Sequence, residues 1–269
     1  MSKIAAIQMA SGPVVQGNLM QAAALIKQAA EQGAEMVVLP EHFAMMGQSE
    51  QQRVEIAEEA GQGIIQDVLS QLALNFGIWI VSGTIPLKTD NPHKSTASSI
   101  MFNDKGQQIA RYDKIHLFDV TFGDNNETYN ESKTTVAGTE VVLVDTPFGK
   151  IGMTVGYDLR FPKLYRELIE QGAEIILIPS AFTQLTGRAH WQPLLRARAI
   201  ENLCYIIAPA QGGYHVNGKT THGNSMMIDF WGKVRDRSRK GANVIMMDID
   251  LQTQHQVRNN FPVLEHRKL

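Results

Sequence analysis

Short apolar runs rich in Val and Ile alternate along the chain with longer segments whose apolar positions recur at helical spacing. Continuous apolar runs belong to strands covered on both faces, and their alternation with helices predicts an α/β protein. Residues 4–9 form the first run. Across 18–32, Leu19, Ala22, Leu25, Ile26 and Ala29 fall on one helical face, and Gly33 supplies the stop before a second run at 35–39. A helix over 62–75 and a strand at 78–84 repeat the arrangement. Runs at 98–103 and 108–112 flank the turn Asp104-Lys105-Gly106, and runs at 140–145 and 150–155 flank Thr146-Pro147-Phe148-Gly149, so each pair reads as antiparallel neighbours. Beyond them the pattern predicts helices at 164–171 and 189–202, with strands at 174–178, 204–208, 225–229 and 243–248. The sheets are therefore expected to be mixed.

One internal echo bears on architecture. Glu31-Gln32-Gly33-Ala34-Glu35-Met36-Val37-Val38-Leu39-Pro40 matches Glu170-Gln171-Gly172-Ala173-Glu174-Ile175-Ile176-Leu177-Ile178-Pro179. Each copy is a helix end, a glycine stop, a buried strand and a proline that ends it. Either any helix-to-strand unit converges on this grammar, or the chain holds two related halves, each a sheet with helices on its outer face. No Pro/Gly/Ser-rich linker interrupts the 269 residues, so one domain over 1–269 is expected.

Composition removes several function classes. Lys and Arg number 25 against 27 Asp and Glu, and a net charge of −2 offers no electrostatic footprint for nucleic acid. No apolar stretch approaches the roughly 20 residues that span a bilayer. The opening apolar run meets Gln8 too early for a secretory signal, and the lone Cys204 cannot close an internal disulfide. The expectation is a cytoplasmic protein without nucleic-acid or membrane partners.

Several motifs dissolve under the same scrutiny. Gly213 to Thr220 satisfies the phosphate-loop string G-x-x-x-x-G-K-[ST], but that chemistry needs a helix beginning at the lysine, and the residues after Thr220 read as turn and strand. A β-hairpin loop is predicted there. Asn126 and Asn130 fit glycosylation acceptors without a signal to deliver them. The eight histidines lack ligand spacing, so no metal is expected. Cys204, inside Leu203-Cys204-Tyr205-Ile206-Ile207-Ala208, reads as an inert core thiol.

Three segments carry chemistry. Leu39-Pro40-Glu41 ends a strand with a carboxylate, Tyr112-Asp113-Lys114-Ile115-His116 ends another with an ammonium, and Gly152-Met153-Thr154-Val155-Gly156-Tyr157-Asp158-Leu159-Arg160-Phe161-Pro162 runs from a strand into a turn before a helix. In this order and spacing they closely resemble the carbon–nitrogen hydrolase (nitrilase) superfamily with its Glu–Lys–Cys triad. Ser180-Ala181-Phe182, Thr186-Gly187-Arg188-Ala189-His190-Trp191, Leu195-Arg196-Ala197-Arg198-Ala199-Ile200-Glu201 and the tail Pro262-Val263-Leu264-Glu265-His266-Arg267 look like its branch acting on ω-amides of α-keto acids.

The resemblance implies a four-layer α-β-β-α sandwich of two mixed sheets. It also implies site roles: Glu41 as general base, Lys114 beside the developing oxyanion together with the backbone N–H of Tyr157, and Glu131 as a second glutamate supporting Lys114. Arg160 would anchor the keto-acid carboxylate through its planar fork, with Phe182 and Thr186 lining the same pocket. No metal or organic cofactor is implied. The implied substrate is deaminated glutathione, cut to 2-oxoglutarate and cysteinylglycine, with 2-oxoglutaramate or non-catalytic keto-acid binding as alternatives. A homodimer paired through helices is also implied, with Trp191 either at that interface or in the core.

One departure stands out: the nucleophile position, directly before Tyr157-Asp158-Leu159-Arg160-Phe161, is Gly156. Without sulfur the thioester route is closed, and the chain is expected to be inactive. Glycine tolerates the strained backbone of a nucleophile elbow. It is compatible with an engineered trap, a natural non-catalytic relative, or a derivatised cysteine written under another letter.

Overall fold

The computed structural model describes residues 1–122 and 127–268. Asn126, the first glycosylation-type asparagine, lies outside the described residues. The first half runs β1 (Ser2–Gln8), α1 (Val15–Glu31), β2 (Met36–Val38), α2 (Gln51–Glu55), α3 (Ile64–Phe76), β3 (Trp79–Val81), β4 (Ile85–Lys88), β5 (Ser95–Phe102) and β6 (Gln108–Asp113). A small hairpin of β7 (Asp119–Phe122) and β8 (Glu127–Asn130) follows. The second half runs β9 (Val142–Thr146), β10 (Gly149–Met153), α4 (Pro162–Glu170), β11 (Ile175–Leu177), α5 (Gln184–Thr186), α6 (Gln192–Asn202), β12 (Tyr205–Ala208), β13 (Ser225–Ile228), β14 (Val234–Ser238), β15 (Asn243–Ile249) and α7 (Leu251–Asn260).

Alternate residues of each buried strand face opposite ways, and this period of two builds the layers. From β1 and β2, Ile4, Ala6, Met36 and Val38 join Ile151, Met153, Ile175 and Leu177 of β10 and β11 in one core between the sheets. The intervening Ala5, Ile7 and Val37 pack instead under α1 and α3. Ile176 and Ile206 pack under α4 and α6 in the same way. The result is the four-layer α-β-β-α sandwich. The sheet orders are β15-β1-β2-β3-β5-β4, with β6 also pairing β5, and β14-β13-β12-β11-β10-β9.

The sequence echo maps onto equivalent places. β2 lies between parallel β1 and β3, and β11 between parallel β10 and β12. Each echoed strand therefore occupies the middle of a parallel triplet, and its proline ends it at the same edge of the sandwich.

Several predicted boundaries shift for local reasons. The run at 78–84 splits, because Gly83 turns at φ +63 and the chain re-enters as β4. The helix predicted from 189 begins at Gln192, because 187–191 form a widened π-turn, a feature often found near functional sites. Trp191 is fully buried and its Nε1–H donates to Asn224 O at 2.7 Å, so the interface alternative for this side chain gives way to core. Tyr214 and Thr220 bridge across an antiparallel hairpin, where the phosphate-loop string demanded a helix. Cys204 is buried in the helix-covered layer, and desolvation pushes its thiol up to about 12. Among the described residues no helix is long and apolar enough to cross a membrane.

Gly83 also sets how closely the β2 strand end approaches its neighbour. A Cβ there would stand 2.0 Å from Pro40 O and 2.7 Å from Leu39 O, on a backbone that L side chains disfavour. Gly83→Ala should cost about 2–4 kcal/mol, combining overpacking with left-handed strain. Urea unfolding checks this; an unchanged midpoint would mean that the strand end is not held so tightly.

Candidate active site

Three strand ends converge at one edge of the sandwich. Glu41 follows β2, Lys114 follows β6 and Gly156 follows β10. Lys114 Nζ donates to Glu41 Oε1 at 2.8 Å and to Glu131 Oε1 and Oε2 at 3.0 and 2.8 Å. Glu131 arrives from the turn after β8, and its Oε2 also accepts from Phe118 N at 2.7 Å. The second sheet completes the cluster, since Ala181 N donates to Glu41 Oε2 at 2.9 Å.

Gly156 sits at φ +48, the left-handed region, with its N–H bonded to Pro179 O at 2.9 Å. A Cβ built on it would point at Glu41 and stand 2.4 Å from Oε2. A side chain at 156 would thus enter directly against the carboxylate, which here closes over the space. Tyr157 lies in the first turn of the short helix that follows, where N–H groups have no acceptor inside the turn.

Asp158, quoted in the sequence motif without a role, locks this elbow. It is fully buried and accepts from Val155 N at 2.8 Å, Tyr112 Oη at 2.7 Å and His116 N at 3.0 Å, with His116 Nδ1 at 2.7 Å. One carboxylate therefore ties the elbow to both sides of Lys114. Its signal was an acid two residues beyond the elbow, too short-range a pattern to reveal partners more than 40 residues away.

Burial and charge act against each other here. Desolvation raises the Glu41 carboxyl, and Glu131 pushes the same way, while the Lys114 ammonium opposes both. Burial alone would lower Lys114, but Glu131 and Glu41 outweigh it and hold the ammonium protonated above its ordinary range. His42 stands 3.8 Å from Glu41 Oε1. Desolvation, with the charges of Arg53 and Lys114, keeps its imidazole well below the usual range, so that contact is dipolar rather than ionic.

The cluster floors a cavity of about 450 Å³ whose lining includes Tyr157, Arg160, Phe182 and Thr186. Every predicted site side chain reaches this cavity or its floor, and Gly156 abuts it through Glu41. Arg160 Cζ lies 5.4 Å from the Phe182 ring centre and 5.7 Å from that of Tyr157, within cation–π range, and Nη1 lies 3.2 Å from His190 Nδ1. No carboxylate of the described residues pairs with it. Sequence reasoning missed His42, Arg53, Phe118, Tyr129 and Lys219, which also line the cavity. Arg53 lies in the five-residue α2 and the others on loops and the β7–β8 hairpin, where no periodic signal marks direction.

Among the described residues, Glu41, His42 and Glu131 form the one acidic or histidine cluster compact enough to share a cation, their ligand atoms within 4.8 Å. Lys114 Nζ already lies 2.8 Å from both carboxylates. A resident divalent ion would have to displace a buried ammonium, so the donor set does not fit one.

Chemically, the arrangement offers a carboxylate raised by burial, a fixed cation, the Tyr157 backbone N–H in the first turn after the elbow, and a guanidinium lining the same cavity. Such a set suits proton removal from a nucleophile and stabilisation of an oxyanion, but supplies no nucleophile of its own at Gly156. Fold and site together have the nitrilase architecture. The chain belongs to the carbon–nitrogen hydrolase family, whose profile matches residues 3–259. It is 40% identical over 268 residues to the deaminated glutathione amidase of Yersinia enterocolitica, covering 99% of this chain and 93% of that one. In structure it resembles the Saccharomyces cerevisiae nitrilase-superfamily member Nit3, with TM-score 0.89, 30% identity and coverage of 100% and 97%. It also resembles the C. elegans NitFhit protein, with TM-score 0.93 and 35% identity over 99% of this chain, spanning 65% of that longer one.

Removing the cation tests the cluster. Lys114→Met should cost about 3–5 kcal/mol, because two buried carboxylates lose their shared partner. With burial of Glu41 then unopposed, its folded pKa rises further above the unfolded value, the folded state binds the extra proton, and stability grows as pH falls. The Tm deficit against the parent should therefore narrow from about pH 8 to about pH 5. A deficit that widens on acidification would contradict a cation-compensated cluster.

Proposed function

We propose that this pocket recognises ω-amides of α-keto acids, deaminated glutathione foremost, and that thioester hydrolysis is absent because residue 156 is glycine. The observation that carries the reading is the convergence of Glu41 and Lys114 on the Gly156 elbow, with the uncompensated Arg160 facing the same cavity. The amidase names of relatives sharing about two fifths of their residues support the substrate class.

The proposed roles follow from the geometry. A thiol at 156 would lie against Glu41, which takes its proton as the sulfur attacks the amide carbonyl. Lys114 and the Tyr157 N–H face the oxygen on which negative charge develops. Collapse breaks the carbon–nitrogen bond and returns the proton from Glu41 to the departing amine. Water activated by Glu41 then cleaves the thioester and restores the thiol. In the present chain the first bond cannot form, so the pocket holds its amide intact through Arg160, Phe182 and Thr186.

Gly156→Cys should therefore generate 2-oxoglutarate from deaminated glutathione, and the parent should turn over slower by a factor on the order of 10⁶. The new side chain requires the Glu41 carboxylate, now 2.4 Å from that position at Oε2 and held by Lys114 and Ala181, to shift within the cavity floor. Absence of release from Gly156→Cys with both deaminated glutathione and 2-oxoglutaramate would refute the amidase reading. If the same variant stays silent while the parent binds either ligand tightly, and Arg160→Ala loses that binding, the pocket is a keto-acid receptor instead. Release of ammonia from 2-oxoglutaramate in preference to dipeptide would assign the smaller substrate.

A further inference from the structure

Arg160 is not the sole uncommitted cation of the cavity. Lys219 also lines it, and no carboxylate of the described residues lies within ion-pairing distance of its ammonium. The other basic groups differ: Lys114 is bound by Glu41 and Glu131, Arg53 lies 3.8 Å from Glu50, and Lys133 is exposed.

Lys219 is a positioned charge rather than a floating one. Its Nζ sits 3.6 Å from the centre of the Tyr129 ring. Its backbone N–H donates to Asn217 Oδ1 at 3.0 Å, and its carbonyl accepts from His215 N at 3.0 Å. His215 is buried beneath the hairpin, with Nδ1 3.0 Å from Ser11 O and Nε2 2.8 Å from Thr221 Oγ1, so the hairpin is pinned to the first half of the chain.

A continuous aromatic wall joins the two cations. Tyr129 contacts Phe118 at 5.0 Å between ring centres, Phe118 contacts Tyr157 at 5.0 Å, and Tyr157 lies under Arg160. The elbow at Gly156 adjoins the Tyr157 end. For an amide held at the elbow with its acyl carboxylate on Arg160, this wall offers a path for the amine portion toward Lys219. Two extended amino-acid residues span about 7 Å, between one and two of the 5.0 Å ring-to-ring steps that lead toward Lys219.

Resting on the keto-acid amide reading above, we propose that Lys219 binds the C-terminal carboxylate of the substrate's amine portion, so the pocket selects amides carrying a negative charge at both ends. Deaminated glutathione meets that requirement through its terminal glycine. 2-Oxoglutaramate, whose amine portion is ammonia, does not.

The absence of a thiol at 156 allows equilibrium binding to be measured without turnover. Calorimetric titration of deaminated glutathione and of 2-oxoglutaramate into the parent, Lys219→Met, Lys219→Arg and Arg160→Ala separates the two carboxylate sites. Lys219→Met should weaken deaminated glutathione roughly tenfold, the usual scale for one partly exposed charge-assisted contact, and leave 2-oxoglutaramate within about twofold. That unchanged affinity doubles as the folding control. Lys219→Arg should retain deaminated glutathione, and Arg160→Ala should weaken both ligands. If both ligands bind in an Arg160-dependent way but Lys219→Met leaves deaminated glutathione unaffected, or weakens both equally, the Lys219 assignment is overturned while the keto-acid reading stands. If neither ligand binds the parent, the keto-acid reading falls and takes this assignment with it.

Discussion

The Lys114 ammonium, shut away from solvent between Glu41 and Glu131, is the interaction around which the rest of the site is arranged. Removing an ion from water costs several kcal/mol, and neighbouring charges recover it only when the geometry is good and the remaining lone pairs are satisfied. Here they are. Glu131 takes a backbone N–H from Phe118 besides the ammonium, and Glu41 takes one from Ala181. Because those donors sit on different segments, the cluster is complete only when the strand ends of both sheets and the β7–β8 hairpin arrive together. Two carboxylates against one ammonium leave an excess negative charge, which is why burial still raises Glu41 despite its partner.

Asp158 performs the corresponding task for the elbow. Its hydrogen bonds to Val155, Tyr112 and His116 bind the turn after β10 to the strand end that presents Lys114. Buried polar networks of this kind are costly when half satisfied and rigid when complete. Both oxygens of Asp158 are used, and Tyr112, with burial and the neighbouring acid keeping its phenol far from ionising, remains a donor. The distance from elbow to ammonium is thus fixed by side-chain chemistry and not only by the register of the sheets.

Much of this was legible in the sequence where the signal is periodic or motif-bound. The α/β layering followed from continuous apolar runs, because strands covered on both faces must be apolar throughout. The echo between 31–40 and 170–179 marked the two strands that occupy the middle of parallel triplets. Glu41, Lys114 and Gly156 were singled out by motif order, and the structure brings them together. What stayed hidden was irregular. β14, Val-Arg-Asp-Arg-Ser, is an edge strand and too polar to advertise itself; the β7–β8 hairpin is exposed on most of its surface; and the π-turn at 187–191 delays a helix that the pattern extends. The cavity wall escaped for the same reason, since Phe118, Tyr129 and Lys219 are far apart in sequence and meet through loops.

Glycine at 156 separates two jobs that such a site ordinarily performs at once. Catalysis requires interactions stronger in the transition state than in the ground state, and for amide cleavage these act on an oxyanion that exists only after a nucleophile has added. On the proposed reading, Lys114 and the Tyr157 N–H remain aimed at that oxygen but meet only the dipole of an unreacted carbonyl. On the same reading, ground-state recognition does not depend on a sulfur, because it would come from the ends of the ligand rather than its centre, through Arg160 and the aromatic wall. Glu41 occupies the volume that a side chain on 156 would claim, and is bonded there to Lys114 and Ala181. The cluster is therefore self-consistent without a thiol: the buried ammonium is paired and the elbow is locked, so on the proposed reading the absence of sulfur costs a bond-forming step rather than a structural support.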